Sequence, residues 1–184
     1  MSQLLIGVDV GASKTVVQLV GTDGIRKRLE APGAALRPGR VLRSANTVTA
    51  AVRGVLRGTG RPAADVLVVG AAGAGRKEER NEFSRALRAE DLAETVRVTT
   101  DGEIALLAAF GKQPGILISA GTGSIALARD PAGEIHTAGG YGWQMGDEGS
   151  GYAIGRAALG AVGRAYDGRG DTKSLTQTVL ETAR

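Results

Sequence analysis

A carboxylate that leaves an apolar run, followed at once by small residues, puts negative charge and bare backbone N–H groups at one point. Gly7-Val8-Asp9-Val10-Gly11-Ala12-Ser13-Lys14-Thr15 has this form. The N–H groups of such a turn can face phosphate oxygens, because no bulky side chain intervenes. Asp9 could hold a hydrated Mg2+, an ion that keeps several waters and takes few carboxylates. A Walker A loop is excluded, since Ser13 stands where its second Gly belongs and Thr15–Val20 reads as a strand where that loop would open a helix. An ordinary hairpin with a solvated Asp fits the same letters.

Ile118-Ser119-Ala120-Gly121-Thr122-Gly123-Ser124-Ile125 repeats the design, and its hydroxyl and N–H groups could take the other side of a triphosphate. Between the two lies Val98-Thr99-Thr100-Asp101-Gly102-Glu103. Asp101 is either a helix N-cap, where Asp is favoured, or a general base for a hydroxyl nucleophile. A helix start can serve both roles. A fourth segment, Gly139 to Tyr152, holds six glycines, the sole Trp and Met145. Glycine this dense is entropically costly in a merely structural loop. Its Asp147 and Glu148 could accept hydrogen bonds from sugar hydroxyls, or could form an exposed acidic helix start. His136, the only His, falls in a strand pattern and reads as a strand residue, not a catalyst.

These segments need elements to hold them. Residues 4–8, 15–20 and 25–30 predict three strands, with Thr22-Asp23-Gly24 as a hairpin turn. Pro32 to Gly39 is a loop. Apolar residues from Val41 to Leu56 recur at helical spacing until Gly58 and Gly60 stop them. A strand at 66–69, a helix at 77–89, a strand at 96–99 and a helix through 104–110 follow, giving βββαβαβα over roughly the first 112 residues. Gly111 to Gly115 reads as a boundary. Strands at 116–119, 124–128 and 134–137 then restart the ββ pattern, with helices at 150–166 and 174–184.

The composition sets limits. The chain has 184 residues, 42% hydrophobic and 23% charged, as in ordinary soluble globular proteins. Aromatics are 3%, so Val, Leu, Ile and Ala must build the core. The 29 glycines fall in clusters without a fixed period, which excludes a collagen-like chain. No cysteine is present, so disulfides, zinc thiolate sites and cysteine-held iron–sulfur clusters of this chain are excluded. No apolar run approaches 18 residues, and a cytoplasmic protein without a membrane span or signal peptide is expected. The net charge of +4 comes mostly from Arg dispersed among acidic neighbours, as in Arg76-Lys77-Glu78-Glu79-Arg80. That is a solvated helix face and no nucleic-acid patch.

Taken together the four segments resemble the BadF/BadG/BcrA/BcrD-type ATPase family, which includes N-acetylglucosamine and glucosamine kinases. Asp9 to Thr15 is similar to its first phosphate motif, D-x-G-G-T-x-T, with Ala12 and Ser13 as substitutions. Gly121-Thr122-Gly123-Ser124 is similar to the second phosphate loop, and Thr100-Asp101 to the catalytic aspartate segment. Gly139-Gly140-Tyr141-Gly142 with Gly146 to Tyr152 is similar to the family's most specific signature.

The resemblance implies an α/β chain of ribonuclease-H-like, actin/hexokinase ATPase fold. It would have a βββαβα first lobe over 1–112 and an incomplete second lobe over 113–184, with ATP and Mg2+ in the cleft. By the same resemblance Gly11, Ala12, Ser13, Lys14, Thr15 and Gly121, Thr122, Gly123, Ser124 would hold phosphates, and Asp9 the metal. Asp101 would draw a proton from a sugar hydroxyl, at carbon 6, while Asp101, Thr122, Gly139, Gly140 and Asp147 would hold the sugar. The expected partner is a small-molecule sugar, with a homodimer as the assembly to test.

Two departures matter. Amino-sugar kinases of this type usually carry an Asn after the third strand, whereas Ala31-Pro32-Gly33-Ala34-Ala35-Leu36 has none. Family members are also longer, so the adenosine-holding part of the second lobe is expected beyond Arg184, and these residues alone should bind ATP weakly. The competing functions are an ATPase activator of the same family, which would need cluster cysteines, and a non-catalytic sugar or nucleotide sensor.

Overall fold

The computed structural model describes residues 2–171 and 173–182. The chain forms two compact units, Met1–Ala108 and Ala109–Arg184.

In the first unit, β1 (Leu4–Val10), β2 (Lys14–Gly21) and β3 (Arg26–Pro32) form an antiparallel meander. Helix α1 (Val41–Leu56) carries the chain over to β4 (Ala64–Ala71), which lies parallel to β1. Helix α2 (Lys77–Arg88) leads to β5 (Ala93–Thr100), parallel to β4, and α3 (Asp101–Phe110) begins directly after it. The sheet order is β3-β2-β1-β4-β5, so β1 is central and its C-terminal end stands between the antiparallel and parallel halves.

Strict alternation explains β1. Leu4, Ile6, Val8 and Val10 are buried, while Leu5, Gly7 and Asp9 face the other way. Val41, Ala45, Val48, Val52 and Val55 make the stripe with which α1 covers that apolar face. Phe83 and Leu87, four apart on α2, complete the core. Each such side chain contributes about 1.5–3 kcal/mol through burial.

The opposite face is entered by α3. A Cβ on Gly70 would lie 2.4 Å from Cδ1 of Ile104, so α3 can approach β4 only because residue 70 has no side chain. Gly70 is the β4 partner of Asp9. The same small residue therefore seats α3 next to the end of β1.

In the second unit, β6 (Gly115–Ala120), β7 (Ser124–Arg129) and β8 (Ile135–Gly139) form an antiparallel meander, followed by α4 (Gly151–Tyr166) and α5 (Lys173–Thr182). Leu127 is buried, while Ile116 and Ile118 are exposed. The expected helix at 150–166 starts one residue later, because Ser150 is its N-cap and its Oγ accepts the Ala153 N–H at 3.1 Å. The expected final helix keeps its place, though Ala183 and Arg184 lie outside the described residues.

Candidate functional site

Three loops meet at the C-terminal end of β1. The β1–β2 turn is closed by the Gly11 N–H on the Lys14 carbonyl at 2.9 Å. The loop after β3 binds it through the Ala34 N–H on the Gly11 carbonyl at 3.1 Å. The loop after β4 joins through the Ala72 N–H on Val10 O at 2.9 Å and the Leu36 N–H on Ala72 O at 2.8 Å. Ser13 and Lys14 stay exposed on this turn.

Thr15 turns its side chain away from this turn. Its side chain is fully buried on the core face beside Val17, opposite to Asp9, and its hydroxyl has no hydrogen-bond partner. Period-two alternation forces this, since Thr15 pairs with the inward-facing Val10. Any phosphate contact from Thr15 must come from its backbone.

Asp101 opens α3, but it does not cap the helix. The Thr100 hydroxyl does, accepting the Glu103 N–H at 3.1 Å. Among the described residues the Asp101 carboxylate makes no hydrogen bond or ion pair. It is exposed and close enough to Asp9 to act on it. The Asp9 carboxyl is held above its ordinary pKa, first by loss of water around it and then by the negative charge of Asp101, with Lys14 pulling the other way. Two carboxylates that repel one another suit a divalent cation. Among the described residues no three His, Cys, Asp or Glu converge to cage one. Asp9 could hold Mg2+ as a single protein ligand, with water and phosphate oxygens for the rest.

In the second unit, the glycine-rich segment folds onto the β6–β7 turn. The Asp147 carboxylate accepts the Ser124 N–H at 3.0 Å, the Gly140 N–H is donated to Ser124 O at 3.0 Å, and the Gly151 N–H to Gly121 O at 2.8 Å. Gly139 and Gly140 have φ of +75° and +74°, and Asp147 takes φ of +64°. A Cβ on Gly140 would lie 2.8 Å from Ile125, and one on Gly123 2.9 Å from the Asp147 carboxylate. Glycine is thus needed for close approach as well as for φ. Asp147 is 8% exposed, while Thr122 is exposed at the tip of the turn. The second and fourth segments of the sequence are one structure. Gly121, Gly123 and Ser124 form the turn, Gly139, Gly140 and Asp147 its support.

Sequence reasoning missed two devices. Thr100 was overlooked as the cap because Asp101 is the commoner capping type, although Thr three residues before Glu is the capping-box spacing. The bond between Asp147 and Ser124 has no local signal. His136 lies in β8, exposed, against Asp130 at 2.9 Å.

Residues 6–180 match the profile of the BadF/BadG/BcrA/BcrD ATPase family. The chain belongs to this family. Similar to this family member is the N-acetylmuramic acid/N-acetylglucosamine kinase of Clostridium acetobutylicum, 36% identical over 115 residues, 62% of this chain and 38% of the relative. The N-acetyl-D-glucosamine kinase of Dictyostelium discoideum is 45% identical over 71 residues, 39% of this chain and 22% of the relative. A Chromobacterium violaceum crystal structure, provisionally named an N-acetylglucosamine kinase, superposes with a TM-score of 0.84 at 33% identity, over 98% of this chain and 64% of that one. The BadF/BadG/BcrA/BcrD chain thus has the α/β fold of actin/hexokinase-type ATPases. It spans well under half the length of the two curated relatives. Among the described residues no helix is long and apolar enough to cross a membrane.

Proposed function

We propose that the protein containing this chain is an ATP-dependent kinase of an N-acetylated amino sugar, and that these residues grip the acceptor sugar and the phosphates. The single observation that carries the reading is the capping of α3 by Thr100, which leaves the Asp101 carboxylate unpartnered beside Asp9. A structural aspartate would be consumed by its helix. A general base must be free to accept a proton.

In this reading Asp101 receives the proton of the sugar hydroxyl as its oxygen bonds to the γ-phosphorus and the bond to ADP breaks. Phosphoryl transfer asks the protein mainly for positioning and charge compensation. The N–H groups of Ala12, Ser13, Thr122 and Gly123 supply the compensation, with Lys14 and the hydroxyls of Ser13, Thr122 and Ser124, while the Gly11, Gly121 and Ser124 amides hold the turns themselves. Mg2+, when bound through Asp9, neutralises phosphate charge. Gly139, Gly140 and Asp147 shape the sugar side. The Gly140 N–H is already donated to Ser124, so its contact with sugar falls to the carbonyl. The soluble, cytoplasmic enzyme expected from the sequence belongs to the same proposal, as does a homodimer.

The test is ADP release, coupled to a dehydrogenase readout, with N-acetylglucosamine as acceptor. Asp101→Asn should lower kcat at least about a hundredfold, the scale of general-base catalysis, with sugar affinity held within about tenfold. Turnover equal to that of the unaltered protein would refute the base assignment. A sensor of the same fold would bind sugar yet release no ADP in either form.

A further inference from the structure

A tight turn and the first turn of α1 gather three arginines. The Arg40 N–H is donated to the Arg37 carbonyl at 3.0 Å, with Pro38 and Gly39 at the centre of the turn. Pro presets the first central residue, and Gly39 takes the second at φ of +70°. Arg43 follows three residues after Arg40, one turn down the helix on the same side. With Ala12, Ser44 and Thr47 the three line a cavity of about 230 Å³. The loop in front of them is fixed, since Leu36 donates its N–H to Ala72 O at 2.8 Å and its carbonyl accepts Arg76 Nη2 at 2.8 Å.

The charge is one-sided. From Ala31 to Ala64 the chain has Arg37, Arg40, Arg43, Arg53, Arg57 and Arg61, and no Asp or Glu. No acidic residue lines the cavity. Among the described residues Arg37, Arg40 and Arg43 form no ion pair and no side-chain hydrogen bond, whereas Arg28, Arg53, Arg61, Arg76 and Arg169 each meet a carboxylate. The helix start adds positive potential of its own. Three guanidinium groups around one hollow repel one another unless an anion lies between them.

Donor number and size select the anion. The Ser44 and Thr47 hydroxyls donate to backbone carbonyls, so recognition falls to the arginines. Each guanidinium offers a two-pronged face. Three such faces exceed the two oxygens of a carboxylate and suit the tetrahedral oxygens of a phosphate dianion. Sites for drug-sized ligands occupy about 300–1,000 Å³, so a space of about 230 Å³ is too small for a nucleotide. We propose that Arg37, Arg40 and Arg43 form a phosphate-group site separate from the nucleotide, taking inorganic phosphate or a small phosphate monoester as an effector. A phosphate there lies against Ala12 and Ala34, beside the Ala34 N–H to Gly11 O bond that holds the β1–β2 turn. Where that turn receives ATP, a resident dianion opposes the charge of the nucleotide and raises the KM for ATP. This consequence rests on the kinase reading, while the site itself does not.

The full chain, Arg43→Gln and the triple variant Arg37→Gln/Arg40→Gln/Arg43→Gln are titrated calorimetrically with inorganic phosphate, methyl phosphate and acetate. Both phosphates should bind the unaltered chain, with affinity at least about tenfold lower in the triple variant, the scale of one lost charged hydrogen bond, and intermediate in Arg43→Gln. Acetate should bind at least about tenfold more weakly than either phosphate. Tighter binding of methyl phosphate than of inorganic phosphate identifies a monoester as the ligand, and equal or weaker binding identifies the free ion. No phosphate binding, equal binding by both variants at an unchanged melting temperature, or acetate held as tightly as phosphate would overturn the site. In the ADP-release assay inorganic phosphate should raise the KM for ATP in the unaltered chain and leave it unchanged in the triple variant. A KM for ATP raised in that variant without added phosphate would give the arginines to the nucleotide and overturn the proposal. If no form releases ADP, the kinase reading fails and calorimetry still decides the site.

Discussion

The Asp147 carboxylate accepts the backbone N–H of Ser124 at 3.0 Å, across 23 positions of sequence. An anion is thereby placed under a turn whose Gly121 N–H is held by Gly123 O at 2.9 Å. It fixes the turn without side-chain bulk, since Gly123 leaves room for the carboxylate and nothing more. Asp147 is held in the left-handed region, at φ of +64°, which Asn and Asp tolerate better than other side chains.

Two substitutions at 147 separate bracing from charge. Asp147→Ala leaves the Ser124 N–H without its acceptor and puts Ala at positive φ. We expect a loss of about 1–3 kcal/mol, the cost of a stranded buried donor, and turnover lowered at least tenfold. Asp147→Asn keeps an acceptor oxygen and a tolerated backbone, so its chemical denaturation midpoint should stay close to that of the unaltered protein. Equal destabilisation by both changes would show that Asp147 does not brace the turn.

Gly70 and Ile104 give a second test. A Cβ at 70 would meet Cδ1, Cγ1 and Cγ2 of Ile104 at 2.4, 2.5 and 2.8 Å. Gly70→Ala must push α3 away from β4, and Asp101 rides on the first turn of α3. Overpacking of this kind costs about 1–3 kcal/mol. ADP release should fall along with stability. Ile104→Ala, added to Gly70→Ala, should restore part of both. A double-mutant cycle in denaturant measures the coupling, and strictly additive effects would count against this seating of α3.

Asp9 makes a prediction with a definite sign. Its folded-state pKa lies above the ordinary 3.8, chiefly through loss of water and then through Asp101. A raised carboxylate pKa means that the ionised form opposes folding. The penalty is absent below the unfolded-state value, grows as pH rises toward the folded-state value, and is full above it. Asp9→Asn should therefore melt at a higher temperature than the unaltered protein at pH 7, with the gap closing as pH falls toward 3.8. Activity should be lost in the same variant, because the proposed metal ligand is gone. Melting curves across this pH range that show Asp9→Asn less stable throughout would contradict the electrostatic picture.

The elements were legible because their signals are local. Alternation in β1, the Val and Ala stripe of α1 and the Thr22-Asp23-Gly24 turn are each contained in a short window. The turn of Gly121 to Ser124 and the glycine-rich segment after Gly139 were also visible as unusual runs. Their junction was not, because the bond from Ser124 to Asp147 joins residues far apart in sequence. The burial of the Thr15 side chain was not legible from the motif, because a phosphate motif reads as consecutive letters, whereas a strand sends alternate side chains to opposite faces.

Gly33 is the remaining position where sequence freedom is small. A Cβ there would stand 2.0 Å from the Ala12 carbonyl oxygen and 2.8 Å from the Ser13 carbonyl carbon, both backbone atoms that cannot turn aside. Gly33→Ala must separate the loop after β3 from the β1–β2 turn and stretch the Ala34 N–H to Gly11 O bond. Hydrogen exchange at the Ala34 amide should accelerate at least tenfold, and binding of ATP should weaken, since this contact holds the β1–β2 turn. Gly7→Ala is the control. Its Cβ would have nothing within 4 Å and it lies in β1, the strand that ends at the same turn, so it should leave exchange at Ala34 unchanged. If Gly33→Ala exchanges at Ala34 no faster than that control, the two loops are not held by the contact described.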